Sequence, residues 1–219
     1  MSDAMPSVVI YGDFNCPFSA LANARASRLA AAGRLKVDWY CVEHDTTIGP
    51  NETPLTADQA AAFRAELDQI ANILTPGEPD RFRVPSRRLN TRDLNRIYAA
   101  TRQAHRAALR TALFDAYWVH DRDLTSDRVI DETIDTINSG SSIRHDLLSD
   151  DEAKRTVTTW QHQWTELPNP IVPTMIIDHG YISRGLGALA RLASGSVWAP
   201  SPRRTASDPA VQMHGPDTD

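Results

Sequence analysis

Residues 7–13 read Ser-Val-Val-Ile-Tyr-Gly-Asp, an apolar, β-branched run that ends on Gly12-Asp13 and predicts a short buried strand. Beyond Cys16-Pro17, residues 18–33 are rich in helix formers and close on a glycine, which predicts a helix. Pro17 suits the start of that helix, because the N–H it lacks would find no partner within the first turn. Residues 35–42, Leu-Lys-Val-Asp-Trp-Tyr-Cys-Val, return to strand character. Strand, helix and strand together make one βαβ unit.

The middle of the chain carries helical signals alone. Thr56 with Gln59 makes a capping box for a helix over about 57–74, stopped by Thr75-Pro76-Gly77. Asn90 with Asp93 marks another start. From there Leu94, Ile97, Tyr98, Ala108, Leu109, Ala112, Leu113, Ala116 and Tyr117 recur at helical spacing, with Thr101 and His105 weakening the stripe for about one turn. Ser126 can cap a helix to about Asn138, and Ser149 with Glu152 is a further capping box, for a helix to about Trp164.

Strand pattern resumes at Ile171-Val172-Pro173-Thr174-Met175-Ile176-Ile177, turns at Asp178-His179-Gly180 and returns through Tyr181-Ile182-Ser183, a hairpin. Residues 185–193 have the apolar spacing of a closing helix, and from Ser194 a proline-bearing, apolar-poor tail is expected to be mobile. The strand-rich ends are each too short for a sheet with protected edges. One sheet drawn from both ends, with the helices inserted between them, is the economical solution: an α/β fold ordered βαβ, helices, ββα.

Length and composition narrow the partners. A chain of 219 residues with 41% hydrophobic content can bury a core without help from disulfides or metal. Its net charge of -5 disfavours nucleic acid and anionic membranes. The first residues lack the basic and apolar regions of a secretory signal, and no apolar run approaches the ~20 residues that cross a bilayer. Cys16 and Cys41 are too few for a disulfide scaffold, so a cytoplasmic protein with reduced thiols is expected. The histidines show no ligand spacing, and the consecutive Glu43-His44-Asp45 cannot all face one ion, so no metal site is expected.

Nine arginines fall between 81 and 110: Arg81, Arg83, Arg87, Arg88, Arg92, Arg96, Arg102, Arg106 and Arg110. They read as a solvated helix face, with Arg102, Arg106 and Arg110 at i,i+4 spacing; the alternative is a pocket for carboxylates of a small thiol or an acidic substrate. Trp118, Trp160 and Trp164 are expected to pack the helical block, and Tyr117 with Trp118 could also roof a pocket. Cys41 shares a strand face with Val37 and Trp39 and reads as structural.

Cys16 is the candidate for chemistry. It stands between the end of the first strand and the start of the first helix, where unpaired N–H groups and the helix dipole favour an anion such as a thiolate. A thiol of pKa ~8.5 is only about 3% ionised at pH 7; lowering it to ~6 would give roughly 90% and takes about 3.4 kcal/mol. A helix end supplies ~0.3–2 kcal/mol, so hydrogen bonds must add to it. Ser19, one turn on, is placed to donate its hydroxyl to the sulfur. The expectation is a thiolate at rest.

The run Asp13-Phe14-Asn15-Cys16-Pro17-Phe18-Ser19 resembles the active-site segment of the DsbA-like family, in which Cys-Pro-aromatic-Cys follows the first strand. Val172-Pro173-Thr174 before an apolar strand resembles the cis-proline loop of the same family, and the helical block between them is also a family feature. Residues 90–123 are similar to the subgroup that contains hydroxychromene carboxylate isomerases, kappa-class glutathione transferases and polyketide-associated relatives. The resemblance implies a thioredoxin-like fold in two pieces, residues 7–55 and 166–193, with an all-helical insertion over 56–165 and a tail over 194–219. It implies that Pro173 follows a cis peptide bond, shapes the cleft and faces Cys16. It further implies that Asn15, Pro17, Phe18, Val172 and Thr174 contact the substrate, with the backbone at Val172 pairing with a bound peptide or thiol.

Ser19 departs from the pattern, because it stands where dithiol members carry their second cysteine. Cys16 then cannot close a disulfide with its motif neighbour, but it can still form a mixed disulfide that an external small thiol resolves. Kappa transferases and hydroxychromene isomerases carry serine at the position of Cys16 and use it to activate glutathione, so the chain fits neither subgroup. The resemblance thus implies a monothiol oxidoreductase acting on a small thiol, disulfide or peptide. Glutathione or another low-molecular-weight thiol would be its co-substrate, and a homodimer is compatible with the family. A thiol-dependent isomerase or transferase, or a non-catalytic binding module that keeps the fold, are the alternatives.

Overall fold

The computed structural model describes residues 5–49, 54–137, 148–177 and 180–195, so the tail expected to be mobile lies outside the described residues from position 196 on. The elements run β1 (Ser7–Gly12), α1 (Pro17–Ala31), β2 (Lys36–Cys41), α2 (Ala57–Ile73), α3 (Arg92–Ala100), α4 (Gln103–Trp118), α5 (Asp127–Ile137), α6 (Asp150–Thr165), β3 (Thr174–Ile177), β4 (Tyr181–Arg184) and α7 (Gly185–Ser194). The sheet has the strand order β2-β1-β3-β4. β1 lies parallel to β2 and antiparallel to β3, so strands from both ends of the chain meet at its centre, as the short ends require. β3 and β4 close it as an antiparallel pair, Met175 opposite Ser183.

Alternation along the strands sends Ile10, Trp39 and Met175 to one face and Tyr11 and Tyr40 to the other. On the first face Trp39 lies across Gly12, where an added Cβ would stand 2.2 Å from Trp39 Cζ2; the close approach requires glycine. Phe114 of α4 meets Trp39 edge-on at 5.7 Å, and Arg110 covers its ring at 4.8 Å. On the opposite face Tyr40 stacks on Trp160 of α6 at 5.0 Å. Helices therefore cover both faces of the sheet.

Local signals account for most boundaries. Thr56 and Ser149 close reciprocal capping boxes with Gln59 and Glu152 at the starts of α2 and α6. The long stripe from Leu94 to Tyr117 is broken, however. Thr101 is extended, and its hydroxyl donates to the Ile97 carbonyl at 2.9 Å; Arg102, extended as well, precedes a new helix. Arg106 holds the break by donating to the carbonyls of Ala99 and Thr101, both at 2.7 Å, while lying over Trp160.

Among the nine arginines, the solvated-face reading is corrected for Arg110, while Arg83, Arg92 and Arg102 are exposed and the rest partly so. Arg110 is buried, donating to Asn23 Oδ1 at 2.6 Å between α1 and α4, because the aromatic face of Trp39 and the Asn23 amide replace its water. Arg25 is buried too. It pairs with Glu78 at 2.6 Å and donates to the carbonyls of Ile73 and Leu189, tying α1 to the C-terminal end of α2 and to α7.

Candidate active site

β1 ends at Gly12, and the next four residues form the turn that delivers Cys16 to α1. Asp13 accepts from the Asn15 N–H at 3.0 Å through Oδ1, and its carbonyl accepts from the Cys16 N–H at 3.1 Å. Cys16 is the N-cap of α1 in extended conformation, with Pro17 at the first helical position. Trp118 Nε1–H donates to the Phe14 carbonyl at 2.8 Å, and the Tyr117 hydroxyl to Asn15 Oδ1 at 3.2 Å. Those two aromatics buttress the turn from the interior; they do not roof a pocket.

The Cys16 thiol reaches across to the other end of the chain. Its Sγ lies 3.9 Å from the Val172 carbonyl oxygen, immediately before the cis Val172–Pro173 peptide. The loop is pinned by the Thr174 hydroxyl, which donates to the Ile171 carbonyl at 2.6 Å, and by Gly185 N–H on the Pro173 carbonyl at 2.8 Å. Ser19 is completely buried beneath the sulfur, accepting from the Asp13 N–H at 3.3 Å.

The charge state of Cys16 corrects the sequence-based expectation of a resting thiolate. Burial pushes the thiol up to about 12; the Ser19 N–H and hydroxyl, both on the sulfur, pull it down, and the charges of Asp13 and Glu66 push it up again. Cys16 is only 6% exposed, and removing a thiolate from water costs more than those two hydrogens and the helix tip return. The resting group is a thiol.

Acid–base groups surround it. The buried Asp13 carboxylate accepts through Oδ2 from the backbone N–H of His44 at 2.9 Å and lies 2.7 Å from His44 Nδ1. Burial disfavours the imidazolium, but the Asp13 bond and charge, with Asp45 and Glu66, outweigh it and raise the His44 pKa. Glu66 on α2 is raised by burial and drawn back by the His44 charge. Arg88 pairs with Asp45 beside them.

A cleft of about 300 Å³ joins these groups, lined by Asn15, Cys16, Pro17, His44, Asp45, Gln59, Ala62, Phe63, Glu66 and Arg88. Of the residues singled out in the sequence, Asn15, Cys16 and Pro17 line it, and Val172 touches the sulfur. Phe18 is half-buried in the core, and the Thr174 side chain is spent on its own loop, so neither lines the cleft.

Sequence reasoning missed Asp13, His44 and Glu66, and dismissed the 43–45 run once metal ligation failed; Arg88 lines the cleft, in keeping with the pocket offered as the alternative reading of the arginines. One signal could have found the first two: β1 and β2 run parallel with Gly12 beside Cys41, so the residues after both strands emerge at the same sheet edge, the usual place for ligands. Among the described residues no group of three His, Cys, Asp or Glu side chains is placed to hold a metal ion, and no helix is long and apolar enough to cross a membrane. Cys41 is buried at the end of β2.

The family model for the DSBA-like thioredoxin domain matches residues 7–194. The fold is similar to that of a Streptomyces coelicolor protein described as a DsbA oxidoreductase, with a TM-score of 0.65 at 18% identity over 92% of this chain and 94% of that one. It is also similar to the cytosolic disulfide reductase DsbM of Pseudomonas aeruginosa solved with GSH, at a TM-score of 0.62 and 15% identity over 88% and 95% of the two chains. A 2-hydroxychromene-2-carboxylate isomerase matches with a TM-score of 0.59 at 22% identity over 87% of this chain and 94% of that one. A search of the curated proteins gives no match. At these identities the structural likeness is one of fold.

Proposed function

The chain belongs to the DsbA-like thioredoxin-domain family, and from that premise we propose that it exchanges thiols and disulfides through one active-site cysteine, Cys16. The observation that supports this most directly is the placement of the sulfur. Cys16 lines the cleft, its Sγ faces the Val172 carbonyl beside the cis peptide, and Ser19 stands where a resolving thiol would.

In the proposed cycle the Cys16 thiol loses its proton and attacks one sulfur of a small disulfide. The new S–S bond forms as the old one breaks, and the second half leaves as a thiol. A low-molecular-weight thiol such as glutathione then attacks the mixed disulfide, leaves as a new disulfide and restores Cys16. Ser19 stabilises the transient thiolate, Pro173 shapes the floor, and Asn15, Pro17 and the Val172 backbone meet the bound molecule. The helical insertion supplies the far wall through Gln59, Ala62, Phe63 and Glu66, and is the part that selects the substrate.

Incubation with glutathione disulfide tests this. The chain is expected to gain one glutathionyl group on Cys16, released by added glutathione, and Cys16→Ser is expected to take none. Equal turnover by Cys16→Ser would overturn the reading. The paired Asp13 and His44 with Glu66 favour a second reading, a thiol-dependent isomerase, since isomerisation needs groups that move protons. Product analysis separates the two: exchange changes the redox state of the substrate, whereas isomerisation leaves its composition intact.

A further inference from the structure

We propose that His44, oriented by Asp13, is the proton donor to the departing sulfur when Cys16 opens a disulfide. The inference rests on the exchange reading above and adds a catalytic residue to it. The Asp13 carboxylate grips His44 twice, at the backbone N–H and at Nδ1, which leaves Nε2 as the nitrogen free to face the cleft. Cys16 and His44 line the same cavity, so a disulfide reaching the sulfur brings its second half beside the imidazole. A nucleophile and an acid–base group, the latter held by a buried third residue, form the constellation that covalent catalysis uses.

The charged and titratable groups facing His44 are Asp13 from the turn after β1, Cys16 at the tip of α1, Asp45 beside it, Glu66 on α2 and Arg88 before α3. Carboxylates outnumber cations there, and Asp13, Asp45 and Glu66 together raise the His44 pKa against the cost of burial, which favours the protonated imidazole. The proton balance is simple. Cys16 releases its proton to water, its sulfur lone pair forms the new S–S bond, and the broken bond leaves its electron pair on the departing sulfur. His44 protonates that sulfur and then recovers a proton from water. A thiol leaves rather than a thiolate.

A proton donor matters only where the departing thiolate is a poor leaving group. The test compares glutathione disulfide, whose leaving alkyl thiol is weakly acidic, with an aromatic disulfide such as 5,5′-dithiobis(2-nitrobenzoate), whose leaving thiol is strongly acidic. His44→Gln is expected to lower the ratio of the two rates about 100-fold at neutral pH, the low end of a general-acid contribution. The difference is expected to shrink as pH rises past the titration of His44, because wild type then loses the same proton. Equal slowing toward both disulfides, as loss of mere electrostatic support for the thiolate would give, or no slowing of either, overturns the proposal while leaving Cys16-dependent exchange intact. Exchange that persists in Cys16→Ser overturns the underlying reading as well.

Discussion

Replacing Ser19 by alanine removes one oxygen atom from the floor of the site and tests how the sulfur is held. That hydroxyl accepts from the Asp13 N–H at 3.3 Å and donates to Cys16 Sγ, and no water reaches it. A hydrogen bond to a charged acceptor contributes ~1.5–3 kcal/mol. At 1.36 kcal/mol per unit, losing it should raise an already high thiol pKa by about 1–2 units. Only the thiolate reacts, so iodoacetamide alkylation of Cys16 at fixed mildly alkaline pH should slow ~10–100-fold. The Ser19 N–H stays on the sulfur, which keeps the loss partial. The same substitution leaves the buried Asp13 N–H without a partner, and urea denaturation should register a loss of ~1–3 kcal/mol. Cys16 alkylation is followed by peptide mass mapping, which separates it from the buried Cys41. An unchanged alkylation rate in Ser19→Ala would refute the argument that this hydroxyl supports the thiolate.

Glu78, whose side chain is 5% exposed, is pulled down to about 2 by Arg25 and the Thr75 N–H against the cost of burial. Its folded pKa lies below the unfolded one, so it contributes stability above about pH 4.5 that is lost as pH falls through about 2, worth about 3 kcal/mol. The stability difference between wild type and Glu78→Gln, measured by urea denaturation, should therefore shrink across that window; a difference independent of pH would contradict it. Gly12→Ala should cost ~1–3 kcal/mol or more, because the new methyl meets the Trp39 ring, which Phe114 and Arg110 hold in place. Thermal denaturation should show the loss, and Trp39→Phe added to Gly12→Ala should recover part of it. In Thr56→Ala the capping box of α2 is lost, with an expected cost of ~1 kcal/mol in the same assay.

The sequence by itself determined what depends on neighbours along the chain. The strand at 7–12, the proline-started helix after Cys16 and the capping boxes at Thr56 and Ser149 are each set by a few residues and their short-range hydrogen bonds. The candidate nucleophile and the loop at Pro173 could be found as well, because both carry local motifs. Tertiary structure alone decided where the long helical stripe breaks, since Arg106 reaches back to the Ala99 and Thr101 carbonyls while lying over Trp160. It also decided the charge of the sulfur. Ionisation depends on how much water remains and which charges stand nearby, and those come from Val172, Asp13 and Glu66, the first of them 156 residues away. The pairing of His44 with Asp13 exists because two parallel strands end side by side; the βαβ pattern brings those strand ends together, but which side chains meet there is settled only by packing.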